Sequence, residues 1–142
     1  MKNNMRFEFP AKSENEKFAR TVCAAFVLEL DPTVDEIDEI KTAVSEAVTN
    51  SIIHGYDGNE GTIEIEGDID GREVVYVITD HGCGIRDVKQ AMEPLFTGKP
   101  ESERSGMGFS IMEAFMDDLK VESGVGVGTK ITMKKRISDD GR

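Results

Sequence analysis

Val44-Ser45-Glu46-Ala47-Val48-Thr49-Asn50-Ser51-Ile52-Ile53-His54-Gly55 is the stretch on which the reading of this chain turns. Ile37, Ile40, Val44, Ala47, Val48 and Ser51 recur at helical spacing, which predicts an amphipathic helix whose second half is this stretch and which ends at Gly55. Glu46 and Asn50 then stand at i and i+4, stacked on one face beside the buried stripe. A carboxylate and a neutral carboxamide one turn apart suit a proton acceptor and an oxygen ligand for Mg²⁺. An isolated E-x-x-x-N is usually an ordinary surface pair, so its meaning rests on what surrounds it.

Upstream, Met5 to Phe9 alternates as a short strand ended by Pro10. Ser13 with Glu16 reads as a capping box, and Phe18, Val22, Ala25, Phe26 and Leu30 follow at helical spacing, giving a first helix from about 14 to 30. Asp31-Pro32 stops it, and Thr33 or Asp35 caps the second helix. Downstream, Thr62 to Glu66 and Glu73 to Thr79 alternate around the turn signal Asp70-Gly71, and the returning strand runs into Asp80-His81-Gly82-Cys83-Gly84. A short helix near 87 to 92 precedes a stretch to Ser105 that is long for a connection in a compact domain, which predicts a functional lid over about 85–105. Gly106-Met107-Gly108 opens another helix with Phe109, Met112, Phe115 and Met116 inward, and a closing hairpin spans Leu119 to Lys135. Residues 1–137 read as one domain and 138–142 as a frayed tail.

This order of elements has too few helices to alternate with every strand. The expected fold class is therefore α+β, a two-layer sandwich with helices on one face of a mostly antiparallel mixed sheet. The 142 residues contain no run of 18 apolar residues and no apolar run near the start, so neither a membrane span nor a signal peptide is expected. The two cysteines, Cys23 and Cys83, lack metal-ligand spacing with each other or with His54 and His81 and read as reduced thiols in a cytoplasm, Cys83 as a buried small residue. A net charge of −11 opposes direct binding to nucleic acid and favours a basic protein partner.

Asp80 closes a strand and is followed by glycines at 82 and 84, which let backbone approach a flat ligand. Its carboxylate can accept a hydrogen bond from an exocyclic amine such as N6 of adenine, which guanine lacks at that position, although D-x-G-x-G by itself is more often a plain turn after a strand. Gly106-x-Gly108 at a helix start offers free N–H groups to phosphate oxygens. The Walker and dinucleotide-binding glycine patterns are both absent, because Gly124 to Lys130 has the wrong spacing for the first and no stretch begins G-x-G-x-x-G.

Taken in this order, Glu46-x-x-x-Asn50, Asp80-x-Gly82-x-Gly84, Gly106-x-Gly108 and Gly128-Thr129 resemble the ATP site of the gyrase, Hsp90, histidine kinase and MutL superfamily, over nearly the whole chain. Ser45 to Tyr56, Pro94-Leu95-Phe96-Thr97 and Arg104 to Phe109 resemble the bacterial anti-sigma factor serine kinases, nearest the sporulation anti-sigma F group. That resemblance implies a Bergerat-type ATP-binding fold, with Asn50 holding Mg²⁺ and Glu46 as general base. Asp80 would recognise adenine, helped by Thr129, in a pocket shaped by Gly82 and Gly84. The lid, with Thr97, Arg104, Ser105, Gly106 and Gly108, would wrap the phosphates, Arg104 neutralising charge on the transferred group. The implied partners are a sigma factor, a small anti-anti-sigma protein whose serine is the substrate, and a second copy of the chain. Histidine autophosphorylation is not expected, since no phosphoacceptor-histidine helical domain is present.

Arg20, on the first helix, points away from the predicted core and is either screened by neighbouring acids or held for a partner's carboxylate. The resemblance implies the second, a contact with the sigma factor near the dimer seam. Two other readings compete: a binding module in which ATP is only a structural ligand, and an ATP-hydrolysing clamp like the gyrase and MutL relatives, which carry further domains to move.

Overall fold

The computed structural model describes residues 1–93 and 108–139. Strands β1 (Lys2–Pro10), β2 (Thr62–Asp70), β3 (Glu73–Asp80), β4 (Asp118–Gly124) and β5 (Gly128–Arg136) form one sheet in the order β1-β2-β3-β5-β4, and every described pair is antiparallel. Helices α1 (Glu14–Phe26), α2 (Val34–Asn50), the single turn α3 (Val88–Ala91) and α4 (Gly108–Phe115) complete it. Ile63, Ile65, Val74, Tyr76, Ile78, Ile131 and Met133 share one core with Ile40, Val44, Ala47, Val48 and Met112 of the helices. Their alternation along each strand puts this core on one side of the sheet, so the fold is the expected α+β sandwich.

Several boundaries follow from identifiable chemistry. Thr33 and Glu36 make the reciprocal capping box that starts α2, at 2.9 and 3.0 Å. Gly71, at φ 67°, turns the β2–β3 hairpin. Pro10 lies at the end of edge strand β1, where a missing N–H costs little.

The first helix differs from its sequence reading. Ser13 is itself helical and makes no side-chain cap, while Glu16 accepts a hydrogen bond from Ser45 of α2. A partly buried hydroxyl needs an acceptor, and the carboxylate facing it serves α2 rather than its own helix end. The helix stops at Phe26, a 3₁₀ turn covers Leu28–Leu30, and Asp31 takes the left-handed conformation at φ 57°. The inward stripe is also rotated: Ala19, Cys23, Ala24 and Val27 are buried, whereas Phe18 is 51% exposed and rests on the rings of Phe7 and Phe9. Small residues let α1 lie close to α2, which leaves the larger ones to the outer side.

Ser138 and Asp139, expected in a loose tail, are tied down. Ser138 N–H donates to Glu36, and Arg72 donates to the carbonyls of Leu30, Ile137 and Ser138 while pairing with Asp139 at 2.9 Å. Residues 140–142, and all of the expected lid beyond Glu93, lie outside the described residues. Among the described residues no helix is long and apolar enough to cross a membrane.

Candidate functional site

The helix that carries Glu46 and Asn50 does not simply end. After Asn50 it widens into a π-helical turn, Ser51–Gly55, closed by Tyr56 N–H on Ser51 O at 2.9 Å. Such turns recur at functional sites because they re-aim the side chains around them. Here the turn brings Ser51 and Gly55 against the end of β3. Ser51 Oγ donates to Asp80 Oδ2 at 2.8 Å, and the Gly82 N–H donates to Asp80 Oδ1 at 2.9 Å. Asp80 is 2% exposed, and among the described residues each oxygen accepts one side-chain or backbone bond, so acceptor capacity remains for a ligand amine.

The glycines around Asp80 are dictated by space. A Cβ at Gly82 would lie 2.0 Å from Gly55 O, and one at Gly128 would lie 2.1 Å from Asp80 O at a φ of 129°. Gly84, at φ 79°, would place a Cβ 2.1 Å from Gly124 O. The Asp80–Gly84 segment is thus clamped between the π turn and the β4–β5 turn, with Cys83 N–H on Gly55 O at 2.7 Å and Gly126 N–H on Cys83 O at 2.8 Å. Thr129 faces Asp80 across the β3–β5 ladder, buried, with its Oγ1 2.8 Å from Ser123 Oγ. Ser123 in turn accepts from Ile85 N–H at 2.6 Å, fixing the start of the segment that leads to α3.

Glu46, 3% exposed, lines a cleft with Thr49, Asn50, Ile53, His54, Gly108 and Phe109. A Cβ on Gly108 would come 3.4 Å from Glu46 Oε1, so the start of α4 lies against the carboxylate. The expected residues therefore fall into two groups joined by the Asn50–Ser51 peptide: Glu46, Asn50 and Gly108 in the cleft, Asp80, Gly82, Gly84 and Thr129 around the base of the sheet. Thr97, Arg104, Ser105 and Gly106 lie outside the described residues. Arg20 lines neither group; it sits 3.5 Å from Glu16, the same carboxylate that receives Ser45.

Two residues read differently in the structure. Cys83 is exposed rather than buried, because the flanking glycines press inward and turn the side chain between them outward; its Sγ lies 3.0 Å from His54 O. Ser51 was legible only as a member of the α2 stripe, although it holds Asp80. A hydroxyl directly after Asn50 in an otherwise apolar row is the signal that marks it.

A family profile described as "Histidine kinase-like ATPase domain" matches residues 9–135. The chain is 59% identical over 133 residues to the anti-sigma F factor of Clostridium kluyveri, covering 94% of each chain. The chain belongs to the histidine kinase-like ATPase domain family, in its anti-sigma F branch. The same relationship extends to the anti-sigma F factor of Clostridium beijerinckii, 58% identical over 137 residues and 96% of each chain. Among solved structures, the nucleotide-free catalytic domain of the histidine kinase ThkA shares the fold, with a TM-score of 0.59 over 97% of this chain and 99% of that one at 16% identity. Family membership makes ATP the expected nucleotide of this domain.

Proposed function

We propose that this protein is a cytoplasmic anti-sigma factor of sporulation that, as a homodimer, binds a sigma factor and uses ATP to phosphorylate a serine on its anti-anti-sigma antagonist. The observation that carries the kinase half of this reading is the buried Glu46 beside Asn50 in the cleft opened by Gly108. Phosphoryl transfer needs positioning, charge neutralisation and a proton acceptor near the nucleophile. The serine oxygen bonds to the γ-phosphorus, the bond to the bridging oxygen of ADP breaks, and Glu46 takes the serine proton. Asp80 accepts from the adenine amine, Thr129 supports that edge, and Gly82 and Gly84 give the ring room.

Asn50 offers a neutral hard oxygen, one ligand of the kind that suits Mg²⁺, which takes few protein ligands and completes its shell with phosphate and water. Bound there, the ion would neutralise phosphate charge. Arg104, with Thr97, Ser105 and Gly106, completes the phosphate contacts in this reading, and Arg20 meets the sigma factor.

The test is Glu46→Gln. The amide keeps the shape but cannot accept a proton, so ATP binding should persist while transfer to the antagonist falls by roughly 10² to 10⁴. Transfer at the wild-type rate would remove Glu46 from the role of base, whereas capture of the partner with no transfer by the wild type itself would favour a protein that binds without acting on another.

A further inference from the structure

Lys135 is the one lysine or arginine among the buried residues described, and nothing in the proposed chemistry uses it. It projects from β5 into the helical layer, where Nζ donates to Phe115 O at 2.7 Å and pairs with Glu39 Oε1 of α2 at 2.9 Å. Phe115 is the last residue of α4, so the ammonium caps a carbonyl that the helix leaves without an internal partner, at its negative end. The neighbouring residues of β5 fasten the same place: Asp117 N–H donates to Lys134 O at 2.8 Å, and Arg136 N–H donates to Asp117 Oδ2 at 2.6 Å. The C-terminal end of α4 is thereby pinned to three successive residues of β5 and, through Lys135, to α2. Its other end, Gly108, meets Glu46.

Eight residues are too few for a helix to hold its own position. The lysine of this pair is buried and the Glu39 side chain is 37% exposed; desolvating the ammonium offsets much of the attraction, so the pair is a poor way to gain stability, and the attested use of such pairs is to fix one register among several. We propose that Lys135 and Glu39 are positioning residues that set α4 along α2, so that its first turn stands at the correct distance from Glu46 and Asn50 to receive the nucleotide phosphates. This rests on the reading of that cleft as the phosphate end of an ATP site.

The test compares Lys135→Met with the double variant Lys135→Met/Glu39→Leu, using ATP and adenosine as probes in calorimetry alongside thermal melts. The double variant removes both charges together and should melt at or above the wild-type temperature. Both variants should keep adenosine affinity, because the base pocket is fastened by Ser51, Gly82 and Thr129. Each should lose ATP affinity by roughly 10-fold, the worth of about one hydrogen bond to a charged group. If the double variant keeps the wild-type ratio of ATP to adenosine affinity, or loses both ligands equally, the pair does not position the phosphate end and the proposal is overturned. Failure of the wild type itself to prefer ATP over adenosine would remove the phosphate-end reading beneath it, a result distinct from either.

Discussion

Asp80 shows how one residue can be legible in type and illegible in detail. Its position after a strand and before two glycines is by itself the pattern of a plain turn, and only the resemblance of the whole set of motifs reads it as an acceptor for adenine. That both oxygens are already steered, one by Ser51 and one by the Gly82 N–H, depends on a π turn that no local pattern encodes. Asp80→Asn should weaken ATP by about 1 to 3 kcal/mol, because one of its two acceptor oxygens becomes a donor and the remaining neutral amide oxygen is a weaker acceptor for the adenine amine than a carboxylate. Unchanged ATP affinity by calorimetry would place the base elsewhere. Gly82→Ala should be worse for the fold itself. Its methyl would lie 2.0 Å from a backbone oxygen that cannot swing away, so the Asp80–Gly84 segment must move and the melting temperature must fall.

At the scale of the element, α2 is the best-determined piece. Thr33→Ala removes half of its capping box and should cost about 1 kcal/mol in denaturant midpoint experiments. Glu36, the other half, also receives Ser138 N–H. Burial pulls its carboxyl upward, but the hydrogen bonds from Thr33 and Ser138 outweigh this and hold it below the ordinary glutamate value. A group depressed in the folded state stabilises it above the unfolded pKa and loses that contribution as pH falls through the folded value. The stability gap between wild type and Glu36→Gln should therefore be open at neutral pH and shrink below about pH 4.3. Constancy of the gap down to pH 3 would sever Glu36 from this role. The hairpins, α2 and the single turn near 87 to 92 were legible because periodicity and turn chemistry are local. The face of α1 was not: Phe18 and Val22 outweigh Ala19 and Cys23 in hydrophobicity, but close approach to α2 selects the small residues. The Ser13 cap failed for a related reason, since Glu16 has a tertiary donor in Ser45.

For the molecule as a whole, the partner-facing prediction concerns Arg20. It is half-buried and pairs with Glu16, so the screening weighed from sequence is present, and a partner must compete with that acid. Arg20→Glu should reduce capture of the sigma factor while leaving nucleotide affinity unchanged, because reversal adds repulsion without opening a cavity. Equal capture across a salt series would move the docking face away from α1. The two thiols offer a different view of the same molecule. Cys83 stands exposed between Gly82 and Gly84, whereas Cys23 is fully buried on the inner face of α1, where burial pushes its thiol pKa far upward. An alkylating reagent added to the folded protein should consume one equivalent at Cys83 promptly, and ATP should slow that reaction if the base sits against the clamped segment. The second equivalent should be consumed only as fast as the core opens. The chain thus carries its own pair of chemical gauges, one for occupancy of the pocket and one for the rare excursions in which the sandwich comes apart.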